Sequence, residues 1–492
     1  MLYTSLGRIA GIPDLCRYPS CASIVPDISY SIVAPVCAAF SYERGYMRRS
    51  IALLSLILGC VLLLPAKTVV FWQEGFPTVA SQPVTRDALV KALDGADTAF
   101  VGLEGLKDSA TLAGAGLLVL PYGSCVPVEA WSAIQGYLRT GGNLLVLGGQ
   151  PFRVPVSLVN GKFVQGVAQD SYSREFGIQH TYVAPPQDAA KFEWRAGYSF
   201  LRAPAVRARR FFVLEGRFNG LGYMVNSEGL QGAAPVVVSD RAGGGFGRGG
   251  VGAGAPGAAA PGAAAAGGRG AGAEAGAAGG QGPVTSSGRG GAATANSRAV
   301  LVDFEPAAGY WDSADGISLI HETAAYARQG PIALTLEMPF STLMPDETPR
   351  VRIHLRSGRR ELAGEVKVEL VSETTVLETL RAPCSGTTVD AELPFSKAYP
   401  PGFYTVRGVW EENGQGREAY HNGLWVEDRK LLTTGPAFGA KGDYLTRDGK
   451  PFFPVGANYF STEANGWDFA GPRNAWIWER DFAEMQRYGV NA

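Results

Sequence analysis

The side chains best suited to covalent chemistry in this sequence are few and far apart. Cys125 follows the apolar run Leu117–Leu120 and the turn Pro121-Tyr122-Gly123. A cysteine attacks as its thiolate, which needs a neighbouring base or positive surroundings. No histidine is near it in sequence: His180, His321, His354 and His421 are scattered. Cys125 therefore reads as a small residue filling a loop–helix junction, since free cysteine packs as a small hydrophobe. His321-Glu322 has the composition of a catalytic pair. It falls, however, in Ile317–Ala327, which reads as a helix with Ile317, Ile320 and Ala324 facing inward. That spacing leaves His321 at the surface or its boundary. Cys125 and Cys384, far apart in the chain, make neither a disulfide framework nor a metal cluster.

The elements around Cys125 alternate between short strands and amphipathic helices. Thr68–Trp72 is a strand run, and Thr85–Leu93 a helix opened by its Thr cap with Asp87 in the first turn. Phe100–Gly102 is short and apolar, and Gly116–Leu120 is a buried strand. Glu129–Leu138 is a helix with Trp131, Ile134 and Leu138 on one face, stopped by Gly141-Gly142. Asn143–Leu147 is the next strand. Such alternation predicts a parallel sheet covered by helices.

The stretch GLLVLPYGSCVPVEAWSAIQGYLRTGGNLLVLGG, residues 116–149, resembles the class I glutamine-amidotransferase-like domain appended to β-galactosidases and related hydrolases. The resemblance covers about Thr68–Gly330, with an irregular middle between Gln150 and Gln231, and implies a flavodoxin-like fold. It also implies a nucleophilic Cys at the elbow after Asn143–Leu147, where this chain has Gly148-Gly149-Gln150. A catalytic His is implied just after Ala299–Phe304, where Glu305-Pro306 stands instead. With both positions empty, the region reads as a catalytically dead relative.

Residues 241–296 are dominated by Gly and Ala and account for much of the chain's total of 65 glycines. They cannot bury enough apolar surface to offset ordering entropy, which predicts disorder. Pro235–Val238 and Ala299–Val302 flank them as adjacent strands, so the block is an insertion in the loop between the two. Arg248 and Arg289 each precede Gly-Gly, as in RNA-binding repeats, but Phe246 is the sole accompanying aromatic. Base stacking has almost nothing to use, and a solvated spacer is the better reading.

From Pro331 to Asp428 the period becomes two. Val351, Ile353 and Leu355 alternate with polar residues, as do Val366, Val368 and Leu370, and later Tyr404, Val406, Gly408 and Trp410. Turns at Ser357-Gly358, Ser385-Gly386, Pro401-Gly402 and Asn413-Gly414 punctuate the runs. Residues 331–428 are thus expected to form an immunoglobulin-like β-sandwich.

Residues 429–492 read as a hairpin turned at Asp448-Gly449, a buried strand Phe452–Gly456, and a loop Ser461–Asp468. A helix near Trp476–Tyr488 follows, with Trp478, Phe482 and Met485 on one stripe and Gly489 just past its end. DGKPFFPVGANYF and WERDFAEMQRYGVNA resemble the opening of clan A glycoside hydrolases of the β-galactosidase, mannanase and cellulase type, whose catalytic domain is a TIM barrel. The resemblance implies a site at the C-terminal ends of barrel strands. Asn458 and Tyr459 would line the sugar pocket there, and Trp467 would stack on a pyranose face. The clan's two catalytic glutamates belong to the fourth and seventh strands, and no carboxylate here matches them. The expectation is the N-terminal portion of a glycoside hydrolase, with only the start of the barrel and no activity alone. The alternative is a non-catalytic carbohydrate-binding or assembly module. No cofactor or metal is implied.

Met47-Arg48-Arg49 followed by the apolar stretch Ile51–Leu64 resembles a signal peptide, too short to span a bilayer, which needs about 20 residues. Met47 then reads as the true start, with residues 1–46 outside the protein and export to the periplasm or beyond. An uncleaved leader would anchor the chain. The net charge of −1 and the absence of a long basic run give no support for a nucleic-acid partner. A carbohydrate substrate, and a homo-oligomer through the α/β region, are the partners the reading allows. Limited trypsinolysis should cut first at Arg248, Arg269 or Arg289, leaving two fragments that stay associated; first cuts within 331–428 would overturn the spacer reading.

Overall fold

The computed structural model describes residues 67–93, 97–184, 191–216, 218–227, 229, 231–242, 295–456, 459 and 474–491. The leader at 47–66, most of the Gly/Ala block, Asn458 and Trp467 lie outside these residues. Among them, no helix is long and apolar enough to cross a membrane.

Continuous apolar runs need cover on both faces, and here they have it. The α/β part begins with β1 (Lys67–Phe71), α1 (Arg86–Ala92), β2 (Thr98–Val101), α2 (Leu103–Lys107), α3 (Ser109–Leu112) and β3 (Ala115–Leu120). It continues through β4 (Cys125–Pro127), α4 (Trp131–Arg139), β5 (Asn143–Leu147), β6 (Val154–Val159) and β7 (Lys162–Gln165). Then come β8 (Ile178–Val183), β9 (Lys191–Trp194), β10 (Ala208–Gly216) and β11 (Asn219–Val225). β12 (Val236–Ala242), β13 (Ala295–Val302), β14 (Phe304–Pro306) and α5 (Ala314–Gln329) complete it. The main sheet runs β2-β1-β3-β5-β13-β12-β11-β9. Its first five strands pair in parallel, in the doubly wound order, and the last three pair antiparallel.

Successive residues of these strands point to opposite faces and supply two cores. Val69, Leu118, Val146 and Leu301 meet Ile134 and Leu138 of α4 on one side. Val70, Val119, Leu145 and Val300 meet Leu89 of α1 and Leu319 and Ala324 of α5 on the other. The Thr85 cap is formed, its Oγ1 accepting from the Ala88 N–H at 3.2 Å. Asn143 joins three strands: it donates to the Gly116 carbonyl at 3.1 Å and accepts from the Arg298 N–H at 2.9 Å.

The stretch expected to be irregular, 150–231, instead carries six strands, β6–β11. β7 and β8 among them are short and largely exposed, so neither period stands out there in the sequence. β12 and β13 are adjacent as expected, paired from Val236↔Val302 to Asp240↔Arg298.

The alternating run forms two antiparallel-rich sheets. Its strands are β15 (Ile332–Glu337), β16 (Thr342–Leu343), β17 (Arg350–Ser357) and β18 (Glu365–Ser372). β19 (Thr375–Pro383), β20 (Thr388–Pro394), β21 (Gly402–Glu412) and β22 (Gln415–Val426) follow. Sheets β15-β17-β20 and β16-β22-β21-β18-β19 enclose Val351, Ile353, Leu355, Val366, Val368, Leu370, Val406 and Trp410. The residues chosen by alternation are the buried ones.

The α/β layer meets the sandwich through a charged cluster built on the buried Arg298. Arg298, with its side chain 2% exposed, donates to Asp240 at 2.8 and 2.9 Å and to the Ile332 carbonyl at 3.2 Å. It lies 3.8 Å from Glu418 of β22 and 4.4 Å from the Tyr326 ring centroid. Tyr198 and Tyr326 both donate to Glu418.

The remaining elements are α6 (Leu431–Thr434), β23 (Phe438–Lys441), β24 (Tyr444–Arg447), β25 (Lys450–Pro451) and α7 (Ala475–Arg487). The hairpin turns at Asp448-Gly449 as expected. Two expectations fail here. Phe452–Gly456 is neither a strand nor buried: Phe453 is 82% exposed. Its described backbone contacts are isolated ones that make no ladder: the Phe452 N–H donates to the Leu445 carbonyl at 2.7 Å, and Val455 and Asn491 exchange hydrogen bonds at 2.8 Å. The stripe Trp478, Phe482 and Met485 is not the buried face of α7 either, Phe482 being 53% exposed. The helix is instead held by its first turn, through Asn474, Ala475 and Ile477. Asn474 caps it and donates to the His421 carbonyl of β22 at 2.8 Å.

Arg298→Ala would leave Glu418 buried without its cation and Asp240 unpaired. Such a break costs about 3–5 kcal/mol. Urea denaturation should show that loss, and Arg298→Lys should not restore it because an ammonium lacks the guanidinium fork.

Candidate functional site

The C-terminal ends of parallel strands are where doubly wound folds place their chemistry. At the end of β5, Gly148 (φ +82°) and Gly149 (φ +70°) adopt the left-handed conformation that glycine tolerates. They also let neighbours close in. A Cβ on Gly148 would lie 2.1 Å from Ser81 Oγ, and one on Gly149 2.5 Å from the Ser124 nitrogen. The Gln150 N–H donates to Ser124 Oγ at 2.7 Å, and the Gly149 N–H to the Phe304 carbonyl at 2.9 Å. The elbow is packed by backbone and serines and carries no nucleophile.

After β13 the chain places Asp303, Phe304 and Glu305. Glu305 pairs with Arg209 at 3.1 Å and with Arg210 at 2.5 Å. Asp303 is fully buried, and neither carboxyl oxygen has a hydrogen-bond partner among the described residues. Burial pushes its carboxyl well above the usual range, which favours the neutral form. Sequence reasoning missed this residue; a charge at the end of an otherwise apolar run was the available signal.

Cys125 sits in β4, paired with β6, rather than in the expected loop. It is 3% exposed, and burial pushes its thiol up to about 12. His321 is exposed on α5 with Nδ1 3.0 Å from the Ala92 carbonyl, and Glu322 is half-buried and raised by burial. The structure brings neither residue to Cys125's hydrogen bonds.

A more open site lies on α7. A cleft of about 730 Å³ is lined by Arg447, Tyr459, Glu479, Phe482, Met485 and Asn491, among others. Tyr459 donates to Asp481 at 2.7 Å, and its ring centroid lies 5.0 Å from that of Phe482. Arg480 holds the same carboxylate from its other side at 2.6 and 3.0 Å. The tyrosine is thereby fixed against the helix. Phe482 and Met485 supply apolar surface; Arg447, Glu479 and Asn491 supply donors and acceptors around it. That mixture, in that size range, suits a small polar ligand with an apolar face. Of the three residues expected to form a sugar pocket, Tyr459 is described and lines this cleft. Phe482 and Glu479 were not expected there, since periodicity assigned Phe482 to a buried stripe.

A thiol with so high a pKa should be inert. Alkylation with iodoacetamide at pH 8, mapped by mass spectrometry, should spare Cys125 in the folded chain and label it in denaturant; rapid labelling when folded would contradict its placement.

No protein-family model matches the chain, and no curated protein matches it. Among solved structures it is similar to a cold-adapted β-galactosidase from Rahnella sp. R3, at 11% identity and TM-score 0.30, over 70% of this chain and 44% of that one. A GH42 β-galactosidase matches at 10% identity and TM-score 0.28, over 67% and 40%. A ThuA-like protein from Bacteroides uniformis matches at 8% identity and TM-score 0.28, over 54% and 93%. The chain thus spans less than half of the length of the two β-galactosidases. At these values the likenesses establish no family membership.

Proposed function

We propose that this chain is the accessory and substrate-orienting portion of an exported glycoside hydrolase acting on O-glycosidic bonds of oligo- or polysaccharides. The observation that carries the reading is the path of the chain around α7. Asn491, beyond the helix, lies beside residues 453–455, hydrogen-bonded to Phe453 and Val455. A segment, a helix and a return beside that segment is the connectivity of a barrel's strand–helix–strand unit, here without strand pairing. This unit follows a sandwich, in the order that the resemblance to clan A enzymes implies. The α/β part, with its packed elbow, fits a catalytically dead amidotransferase-like domain, and the sandwich an immunoglobulin-like one.

Within this proposal the cleft binds and orients sugar without breaking a bond. Glycoside hydrolysis uses two carboxylates, one as acid and one as nucleophile or base. Glu479 is the one carboxylate lining the cleft among its described residues. That favours, as a second reading, a carbohydrate-binding module. Self-association through the α/β part belongs to the same proposal, Leu158, Val159 and Val164 being exposed on β6 and β7.

The test is calorimetric titration of the chain with β-linked manno-, gluco- and galacto-oligosaccharides, beside a panel of nitrophenyl glycosides. Binding to one class is expected, weakened about tenfold by Phe482→Ala, the loss of about 1.4 kcal/mol of ring contact. No glycoside should turn over. Turnover abolished by a point mutation within residues 67–492, or binding indifferent to Phe482 and Tyr459, would overturn the assignment.

A further inference from the structure

His421 of β22 occupies the meeting point of three elements. Its ring faces out of the sandwich, beside Ala419 and Gly423. From the α/β part, Gly197 presses on it: a Cβ there would lie 3.1 Å from Nε2 and 2.9 Å from Ala419. From the other side comes the first turn of α7. Trp476 meets the imidazole edge-on, with centroids 5.2 Å apart and planes at 81°, and the Asn474 side chain donates to the His421 carbonyl. Gly423 makes this docking feasible, since a Cβ there would lie 2.9 Å from the Trp476 nitrogen.

Neither ring nitrogen of His421 has a hydrogen-bond partner among the described residues, and both are closed off from solvent. The charged groups around the ring are cationic. Arg407 stands opposite it on β21, Arg195 approaches from the α/β part, and Arg480 of α7 stacks over the same Trp476 at 5.4 Å. The nearby carboxylate, Glu369 of β18, is already engaged by Arg407 at 3.0 Å and by Lys367 at 2.7 Å. An imidazolium here would carry two N–H donors, one more than the neutral ring, with no acceptor for either among the described residues.

We propose that His421 is a pH-sensitive latch: neutral, it lets α7 dock on β22; protonated, it releases the helix and with it the cleft that Glu479 and Phe482 line. The inference holds whatever that cleft binds. Burial and the two arginines hold the imidazole down to about 4, well below its ordinary 6.5. When the helix opens, the ring regains water and with it part of its affinity for protons, Arg407 and Arg195 staying beside it. The open state therefore binds more protons than the docked one, and docking is lost as pH falls from about 6.5 toward about 4. Above that window the latch contributes no pH dependence.

The experiment is amide hydrogen exchange of the full chain at pH 7.5 and 5.5, corrected for the intrinsic effect of pH, with α5 as internal reference. Protection of residues 475–487 should fall at pH 5.5, by up to about tenfold, the limit set by a free imidazole one pH unit above, while α5 is unchanged. His421→Phe, which keeps a ring but cannot be protonated, should show the same protection at both values. Gly423→Leu should open the helix at both. Exchange of the imidazole carbon-bound hydrogen in the wild-type chain reads the titration directly, independent of any variant's folding. A His421 midpoint near 6.5, or an α7 that loosens equally in wild type and His421→Phe, would overturn the proposal.

Discussion

The fold turns on what covers the outer face of the five-stranded sheet. A sandwich has two inner faces that cover each other, and its outer faces normally meet water. Here one outer face is packed against the α/β part through Val409 and Ala419, and beside that contact a buried guanidinium ties the two parts together. Arg298 leaves β13, takes Asp240 from β12, reaches the Ile332 carbonyl at the start of the sandwich, and approaches Glu418 on β22. Two tyrosines complete the satisfaction of Glu418. Burying charge is costly unless every partner is in place. A cluster like this therefore stabilises little by itself, yet it fixes one arrangement of the two parts, because any slip leaves an ion unpaired.

The sequence was most legible where one period dominates over a long run. Val351, Ile353 and Leu355, or Leu117–Leu120, declare their burial because every second residue, or every residue, must be apolar. The caps at Thr85 and Gly489 were legible for the same local reason, as was the turn at Asp448-Gly449. What escaped was set by tertiary contacts. Strands such as β7 and β8 are short and largely exposed, so their pattern depends on neighbours far away in sequence. Arg298 and Glu418 looked like ordinary surface charges within alternating strands, and nothing local marks either as buried.

The candidate site divides in the same way. The emptiness of the elbow was legible, since a missing nucleophile is a matter of residue type, and the packing of Ser81 and Ser124 against Gly148 and Gly149 supplies its physical counterpart. The cleft on α7 was legible only through Tyr459. Periodicity gave α7 an apolar stripe and therefore a buried face, but burial also needs something opposite. The helix found it in its first turn, where Gly423 removes a side chain and admits the backbone, so Phe482 stands in the cleft wall instead of a core.

These misplacements share a cause, and it bears on function. Docking by one turn leaves most of α7 dependent on few contacts: the cap at Asn474, the seat at Gly423, and the ring pair His421–Trp476. An element held so locally has a stability of its own, separable from that of the cores beneath it. The sandwich and the parallel sheet bury dozens of apolar side chains and would open only with global unfolding, whereas α7 can leave without disturbing either. The residues that line the cleft, from Arg447 on the hairpin to Asn491 beyond the helix, all lie on the α7 side of this junction. A ligand there therefore bridges hairpin and helix, and it shifts the docking of α7 on β22 only by as much as its affinity differs between the docked and released states.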